Sequence, residues 1–236
     1  MIKDVPKLYL FPVPVGNTPP ADVLPLRNIE ILRTVKHFVV ENVRSARRFI
    51  KSCDRSIDID TLTLTELSEH TRPDEVESML EPMTRGLDMG VISEAGCPAV
   101  ADPGADAVAI AQRRGYDVVP LVGPSSIILS LMASGFNGQS FAFCGYLPID
   151  EAKRAARLKE MTQAIRRGQT QIFIETPYRN NRLIESLCQK LPADLKLCVA
   201  SDITGESQSI VTLPLKDWRA REYNYDKLPT IFLLYR

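Results

Sequence analysis

The sequence predicts an α/β protein built as two layered domains. Apolar runs of strand length alternate with amphipathic stretches at helical spacing in both halves of the chain. Loops punctuated by glycine and proline recur at the strand ends, the densest being Ser93-Glu94-Ala95-Gly96-Cys97-Pro98-Ala99-Val100-Ala101-Asp102-Pro103-Gly104. In open α/β sheets ligands bind outside the carboxyl ends of the strands, where such loops lie. At 236 residues the chain makes one large domain or two of about 115, each long enough to bury a core.

Taken in order, Lys7 to Val15 reads as a first strand that stops near Phe11, because Pro12 and Pro14 cannot donate to a central ladder. Pro14-Val15-Gly16-Asn17 then makes a stiff loop. Ile29 to Val35 reads as a helix, His37 to Glu41 as a second strand, and Arg44 to Lys51 as a basic helix. Asp60 to Thr65 reads as a short strand, and Thr71-Arg72-Pro73-Asp74-Glu75 as a helix start with threonine at the cap, the helix running to about Arg85-Gly86. Asp88 to Ser93 is a buried strand, Gly104 to Arg114 a helix closed by Gly115, and Asp117 to Leu121 another strand. Val122-Gly123-Pro124-Ser125-Ser126 turns into an apolar helix ending at Gly135.

The pattern then repeats with strand Phe141–Cys144, helix Asp150–Arg167 and strand Thr170–Glu175. Helix Tyr178–Leu191 and strand Leu195–Ala200 follow. An antiparallel strand Ser207–Leu213, a short helix around Trp218 and a last strand Thr230–Tyr235 complete the chain. The expected domains are residues 1–121 and 122–236, with the boundary in the Pro120–Gly123 turn.

Composition narrows the classes. There is no apolar run of about 18 residues to cross a membrane, and Met1 to Pro6 lacks a signal-peptide core. Five cysteines without a Cys-x-x-Cys spacing point to reduced thiols and a cytoplasmic protein. Two histidines with no ligand spacing leave no metal site. A formal net charge of zero means that nucleic-acid binding requires a local basic patch. Gly-x-Gly-x-x-Gly after the first strand, the phosphate loop Gly-x4-Gly-Lys-[Ser/Thr] and Gly-x-Ser-x-Gly are all absent.

Ser-Glu-Ala-Gly-Cys-Pro followed by Ala-Asp-Pro-Gly resembles the S-[DE]-A-G-x-P…D-P-G signature of the tetrapyrrole-methylase superfamily. More narrowly, the chain resembles the branch that methylates the ribose 2′-hydroxyl of a cytidine in small-subunit (16S) ribosomal RNA. Pro14–Asn17, Val122–Ser126 and Gly145-Tyr146-Leu147-Pro148 match in the expected order. Glu175-Thr176-Pro177-Tyr178-Arg179 stands where the family usually has Glu-Ser-x-His-Arg. The matches run from about residue 8 to 213. Glu94 in place of Asp, Cys97 in place of Thr, and Leu228-Pro229-Thr230-Ile231 in place of a Gly-Glu-Met-Val-like segment depart from the pattern.

The resemblance implies two α/β domains of the tetrapyrrole-methylase type with a cleft between them for S-adenosylmethionine, and a homodimer. It implies cofactor contacts at Pro14, Gly16, Ser93, Glu94, Ala95, Gly96, Cys97, Asp102, Pro124, Ser125, Ser126, Tyr146 and Leu147. A ribose hydroxyl is a poor nucleophile, so a general base helps. Glu41, His70, Asp102 and Glu175 are the candidates, and the sequence does not rank them, because each has a capping, pairing or packing explanation. Pro103 biases Asp102 toward an extended backbone and away from a helical cap. Arg44, Arg47 and Arg48 are the expected acceptor contacts; the alternative is a solvated helix face paired with acids such as Glu66 or Glu69. The runner-up functions are methylation of a tetrapyrrole or other small molecule, and a non-catalytic protein that binds S-adenosylmethionine.

Overall fold

The computed structural model describes residues 5–68 and 70–236, so Glu69 lies outside the described residues. The chain divides into two compact units, residues 1–125 and 126–236.

The first unit contains β1 (Lys7–Phe11), α1 (Pro20–Val23), α2 (Leu26–Leu32), β2 (His37–Val40), α3 (Val43–Cys53), β3 (Thr63–Glu66), α4 (Pro73–Met79), α5 (Glu81–Thr84), β4 (Met89–Ile92), α6 (Gly104–Arg113) and β5 (Asp117–Pro120). Its sheet has the order β3-β2-β4-β1-β5, and every pairing is parallel. Every residue of β4 is buried, as a strand bonded on both edges and covered on both faces requires. Gly90 in β4 has a packing reason: a Cβ there would sit 2.5 Å from the Phe38 ring and 2.8 Å from Phe11. Those two rings face each other at 5.9 Å across the neighbouring strands, an aromatic pair worth about 1 kcal/mol beyond its burial.

The second unit contains α7 (Ser126–Ser134), β6 (Phe141–Tyr146), α8 (Glu151–Arg166), β7 (Thr170–Ile174), α9 (Asn180–Lys190), β8 (Lys196–Ser201), β9 (Ser209–Pro214), α10 (Leu215–Trp218) and β10 (Thr230–Tyr235). Its sheet has the order β6-β7-β10-β8-β9, with β6 and β7 parallel and the other pairs antiparallel. Phe173 and Phe232 stack at 5.8 Å in its core, and Trp218 donates its indole N–H to Leu197 O. Ser130 and Ser134 are buried in α7 with their hydroxyls bonded to Ile127 O and Leu131 O.

The observed elements shift several boundaries. The helix expected over Ile29–Val35 is α2, which starts three residues earlier because Pro25 provides its entry. The helix expected from Thr71 to Arg85 is two: Leu80 caps α4, and Pro82 opens α5. Thr71 is not the cap; Arg72 is, with its N–H bonded to Glu75 Oε2, while Thr71 Oγ1 accepts from Ser68 N. The strand expected over Asp60–Thr65 is a 3-10 turn at Ile59–Thr61 followed by β3.

Candidate functional site

In a parallel sheet all strands run one way, so the loops after β1, β2, β3, β4 and β5 emerge on the same edge of the first unit. Hydrogen bonds hold several of them together. Val13 and Gly96 form an antiparallel bridge, Val13 N to Gly96 O at 2.9 Å and Gly96 N to Val13 O at 3.0 Å. Glu41, just past β2, accepts the Glu94 N–H at 2.9 Å. The Cys97 thiol reaches Pro124 O at 3.5 Å, and Asn28 donates to Val122 O at 2.8 Å. Gly123 lets the β5 loop pack against Pro12, whose ring a Cβ at that position would strike. Gly96 has φ +71°, a conformation open to glycine, and a side chain there would fill the cradle beside Val15 and Pro124 O.

The Ser93–Gly104 loop doubles back on itself. Ala99 and Ala101 take positive φ of 65° and 62°, a left-handed conformation that L residues adopt only when surroundings impose it. Asp102 imposes much of it. Its Oδ1 accepts from Ala99 N at 2.9 Å and Gly104 N at 2.7 Å, while its buried Oδ2 has no partner. Asp102 therefore does bond the first N–H of α6, contrary to the expectation drawn from Pro103: Pro103 itself takes the helical conformation, which returns the chain toward the carboxylate. Burial pushes the Asp102 carboxyl above its ordinary range, against the lowering by the Gly104 and Ala99 N–H groups; the Ser93 hydroxyl gives its hydrogen to Ala95 O. Burial likewise raises the Cys97 thiol.

Glu41, Leu67, Ser93, Asp102 and Gly104 line a cavity of about 10 Å³, room for a single water beside the Asp102 carboxylate. His70 lies in the turn after β3, exposed, with its N–H on Ser68 Oγ. On α3, Ala46, Phe49 and Ile50 face the core, and Arg44, Arg47 and Arg48 are exposed. These three make no ion pair among the described residues; Glu66 instead accepts Val43 N. Lys51 differs, because its ammonium donates to Arg55 O and Ile57 O in the loop after the helix.

In the second unit, a register shift between Phe143 and Tyr146, with Gly145 at φ +63°, ends β6. Tyr146 is left 61% exposed, whereas the Leu147 side chain is part of the core and offers a ligand only its backbone. A larger groove of about 750 Å³ runs along α9 and α10 and contains none of the expected residues. Asn28 and Leu67 had no mark in the sequence, since their roles depend on contacts 94 residues away or on burial under a neighbouring loop. Gly123 was signalled by its place in Val-Gly-Pro-Ser-Ser.

The model of the tetrapyrrole (corrin/porphyrin) methylases matches residues 7–218. The chain belongs to that family. Among its relatives are proteins called ribosomal RNA small subunit methyltransferase I. The one from Vibrio cholerae is 29% identical over 98% of this chain and 77% of its own length. The one from Pseudomonas aeruginosa is 30% identical over 96% and 78%. Solved tetrapyrrole methyltransferases share the fold: CobJ superposes with a TM-score of 0.64 at 18% identity, covering 98% of this chain and 93% of its own. Cobalt precorrin-4 methyltransferase CbiF gives 0.61 at 16% identity, covering 97% and 94%.

As a tetrapyrrole methylase, the protein is a methyltransferase that uses S-adenosylmethionine. When bound, that cofactor supplies a methyl group already activated on a sulfonium. The loop lattice fits such a group, with an open cradle at Gly96 and backbone held rigid on both sides of it. Among the described residues no metal-binding cluster occurs, and no helix is long and apolar enough to cross a membrane.

Proposed function

We propose that this methyltransferase acts on small-subunit ribosomal RNA, at the ribose 2′-hydroxyl of a cytidine in 16S RNA. The observation that carries the reading is similarity along 98% of the chain to a protein called ribosomal RNA small subunit methyltransferase I. The exposed arginines of α3, which make no ion pair among the described residues, support it, because a protein of zero net charge must gather its phosphate contacts locally.

The cofactor contacts in the first unit are Pro14, Gly16, Ser93 to Cys97, Pro124 and Ser125. Their task is to fix the methyl carbon and the hydroxyl oxygen in near-attack geometry and to exclude water. Glu41 or His70 takes the hydroxyl proton. Asp102, turned into a cavity that fits one water, keeps the loop in shape. A homodimer belongs to the same reading: Ile128 and Met132, one helical turn apart on α7, are 46% and 73% exposed. The five free cysteines accord with a reducing cytoplasm.

The test compares 16S RNA from cells with and without the gene, digested to nucleosides and measured by mass spectrometry. One 2′-O-methylcytidine disappears in the deletion and returns with the wild-type gene; an unchanged nucleoside profile overturns the assignment.

A further inference from the structure

The segment after β7 carries a second feature that the methyl-transfer reading leaves unused. Tyr178 is 76% exposed and pairs with no other ring among the described residues. An aromatic ring of that size in water is normal if it is mobile and uncommitted. The backbone beneath this one is clamped. Arg179 donates to Glu175 Oε1 through both Nε, at 3.0 Å, and Nη2, at 2.6 Å, and Nε also reaches Thr176 Oγ1 at 2.9 Å. The Glu175 carboxylate is only 7% exposed, so this ion pair is anchored rather than floating at the surface. Lys227 N bonds Pro177 O at 3.1 Å. Asn180, fully buried, donates to Tyr225 O and Leu228 O and so ties the 225–228 segment to the start of α9.

Exposed cations occur on the same segments as the ring. Arg182 follows Tyr178 at i+4, and Lys227 sits on the clamped segment beside Pro177. Neither forms an ion pair among the described residues, although Asp226 and Glu185 share their segments, and Glu175 is bonded to Arg179. An exposed ring on a clamped backbone, with exposed cations free of ion pairs on the same segments, suits a single nucleic-acid strand: the base stacks on the ring, and the adjoining phosphates meet the cations. Pre-organisation matters here, because a ring already held in place loses little freedom on binding.

We propose that Tyr178, with Arg182 and Lys227, is a nucleobase-stacking site for a single-stranded segment of the RNA acceptor. The site lies at the carboxyl end of β7, the strand that pairs with β6, where Tyr146 and Ile174 are neighbours in register. The inference rests on the ribosomal-RNA reading above and adds to it a second contact region, separate from the arginines of α3. It also gives a role to the Pro177-Tyr178-Arg179 motif, where the ring replaces the histidine usual in the resembling family.

The experiment measures steady-state methylation of small ribosomal subunits by four full-length proteins: wild type, Tyr178→Ala, Tyr178→Phe and Tyr178→Leu. Stacking of one base on an aromatic ring corresponds to about a 5- to 150-fold effect on removal of the ring. Tyr178→Ala therefore raises KM for subunits within that range, with the affinity for S-adenosylmethionine unchanged by calorimetry. Tyr178→Phe restores the KM and Tyr178→Leu does not. The double variant Arg182→Ala/Lys227→Ala flattens the slope of log affinity against log salt by about 1.4, two contacts at about 0.7 each for a single strand. Normal KM in Tyr178→Ala overturns the proposal. Rescue by Tyr178→Leu, or a dimer that dissociates in Tyr178→Ala at unchanged KM, assigns the patch to an apolar protein contact and also overturns it. Failure of the parent reading is distinguishable, since the wild-type protein itself would then leave the subunits unmethylated.

Discussion

Asp102 offers the sharpest test of how the Ser93–Gly104 loop is held. Asp102→Ala removes the acceptor of two backbone N–H groups, at 2.9 and 2.7 Å. Bonds of this kind to a charged acceptor contribute about 1.5–3 kcal/mol each, which is an upper bound here because water reaches part of the loop. Loss of the carboxylate also removes its own desolvation, the leading cause of its raised pKa. The difference leaves a net destabilisation of about 1–3 kcal/mol, or about 2–12 °C in Tm for a chain of this size. Asp102→Asn keeps the shape and one acceptor and should cost less than about 1 kcal/mol.

The two variants also differ in pH response. The folded-state pKa of Asp102 lies above the unfolded one, so ionisation is harder in the folded protein. Its contribution is most favourable at low pH, where both states carry the proton. It declines as pH rises from the unfolded pKa to the folded one and is constant above. Measured by thermal unfolding between pH 4 and pH 8, Asp102→Asn should therefore gain on wild type as pH rises through the carboxylate range. A Tm for Asp102→Ala equal to wild type, or a Tm difference for Asp102→Asn that does not move with pH, refutes the role given to this residue.

Two further outcomes follow from the same geometry. Gly96→Trp puts a large side chain into the cradle beside Val15 and Pro124 O, at a φ of +71°; calorimetry should show cofactor binding lost, and unchanged affinity would move the cofactor elsewhere. Arg47→Ala combined with Arg48→Ala should weaken binding to small subunits and lower the slope of log affinity against log salt by roughly 0.7–0.9 per lost phosphate contact, leaving cofactor affinity intact; an unaltered slope excludes α3 from the acceptor surface.

Much of the architecture was legible because its signals are local. The β1 stop at Phe11 follows from Pro12 and Pro14, and the ends of α6, α7 and α8 from Gly115, Gly135 and Gly168, all with positive φ. Boundaries inside continuous patterns and among prolines were missed. Leu80 and Pro82 split a continuous amphipathic pattern into α4 and α5, and the short α1 is formed by four residues among prolines. For the site, the motif loops were visible and their mutual arrangement was not. The Val13–Gly96 bridge and the Glu41–Glu94 bond join residues 83 and 53 positions apart, and no local pattern encodes them. Asp102 shows the limit most clearly. The sequence marks a carboxylate in a ligand-side loop, but only the fold shows that one oxygen clamps that loop and the other faces a cavity of about 10 Å³.

Transfer of a labelled methyl group tests the central claim most directly. Purified protein, S-adenosylmethionine carrying a radioactive methyl, and small ribosomal subunits from cells lacking the gene are incubated together, and the RNA is then separated and mapped. Label should enter 16S RNA stoichiometrically, at one ribose 2′-hydroxyl of a cytidine, and should be absent from subunits taken from cells that retain the gene. Label that never enters the RNA, or that appears instead in a small molecule, would contradict the account.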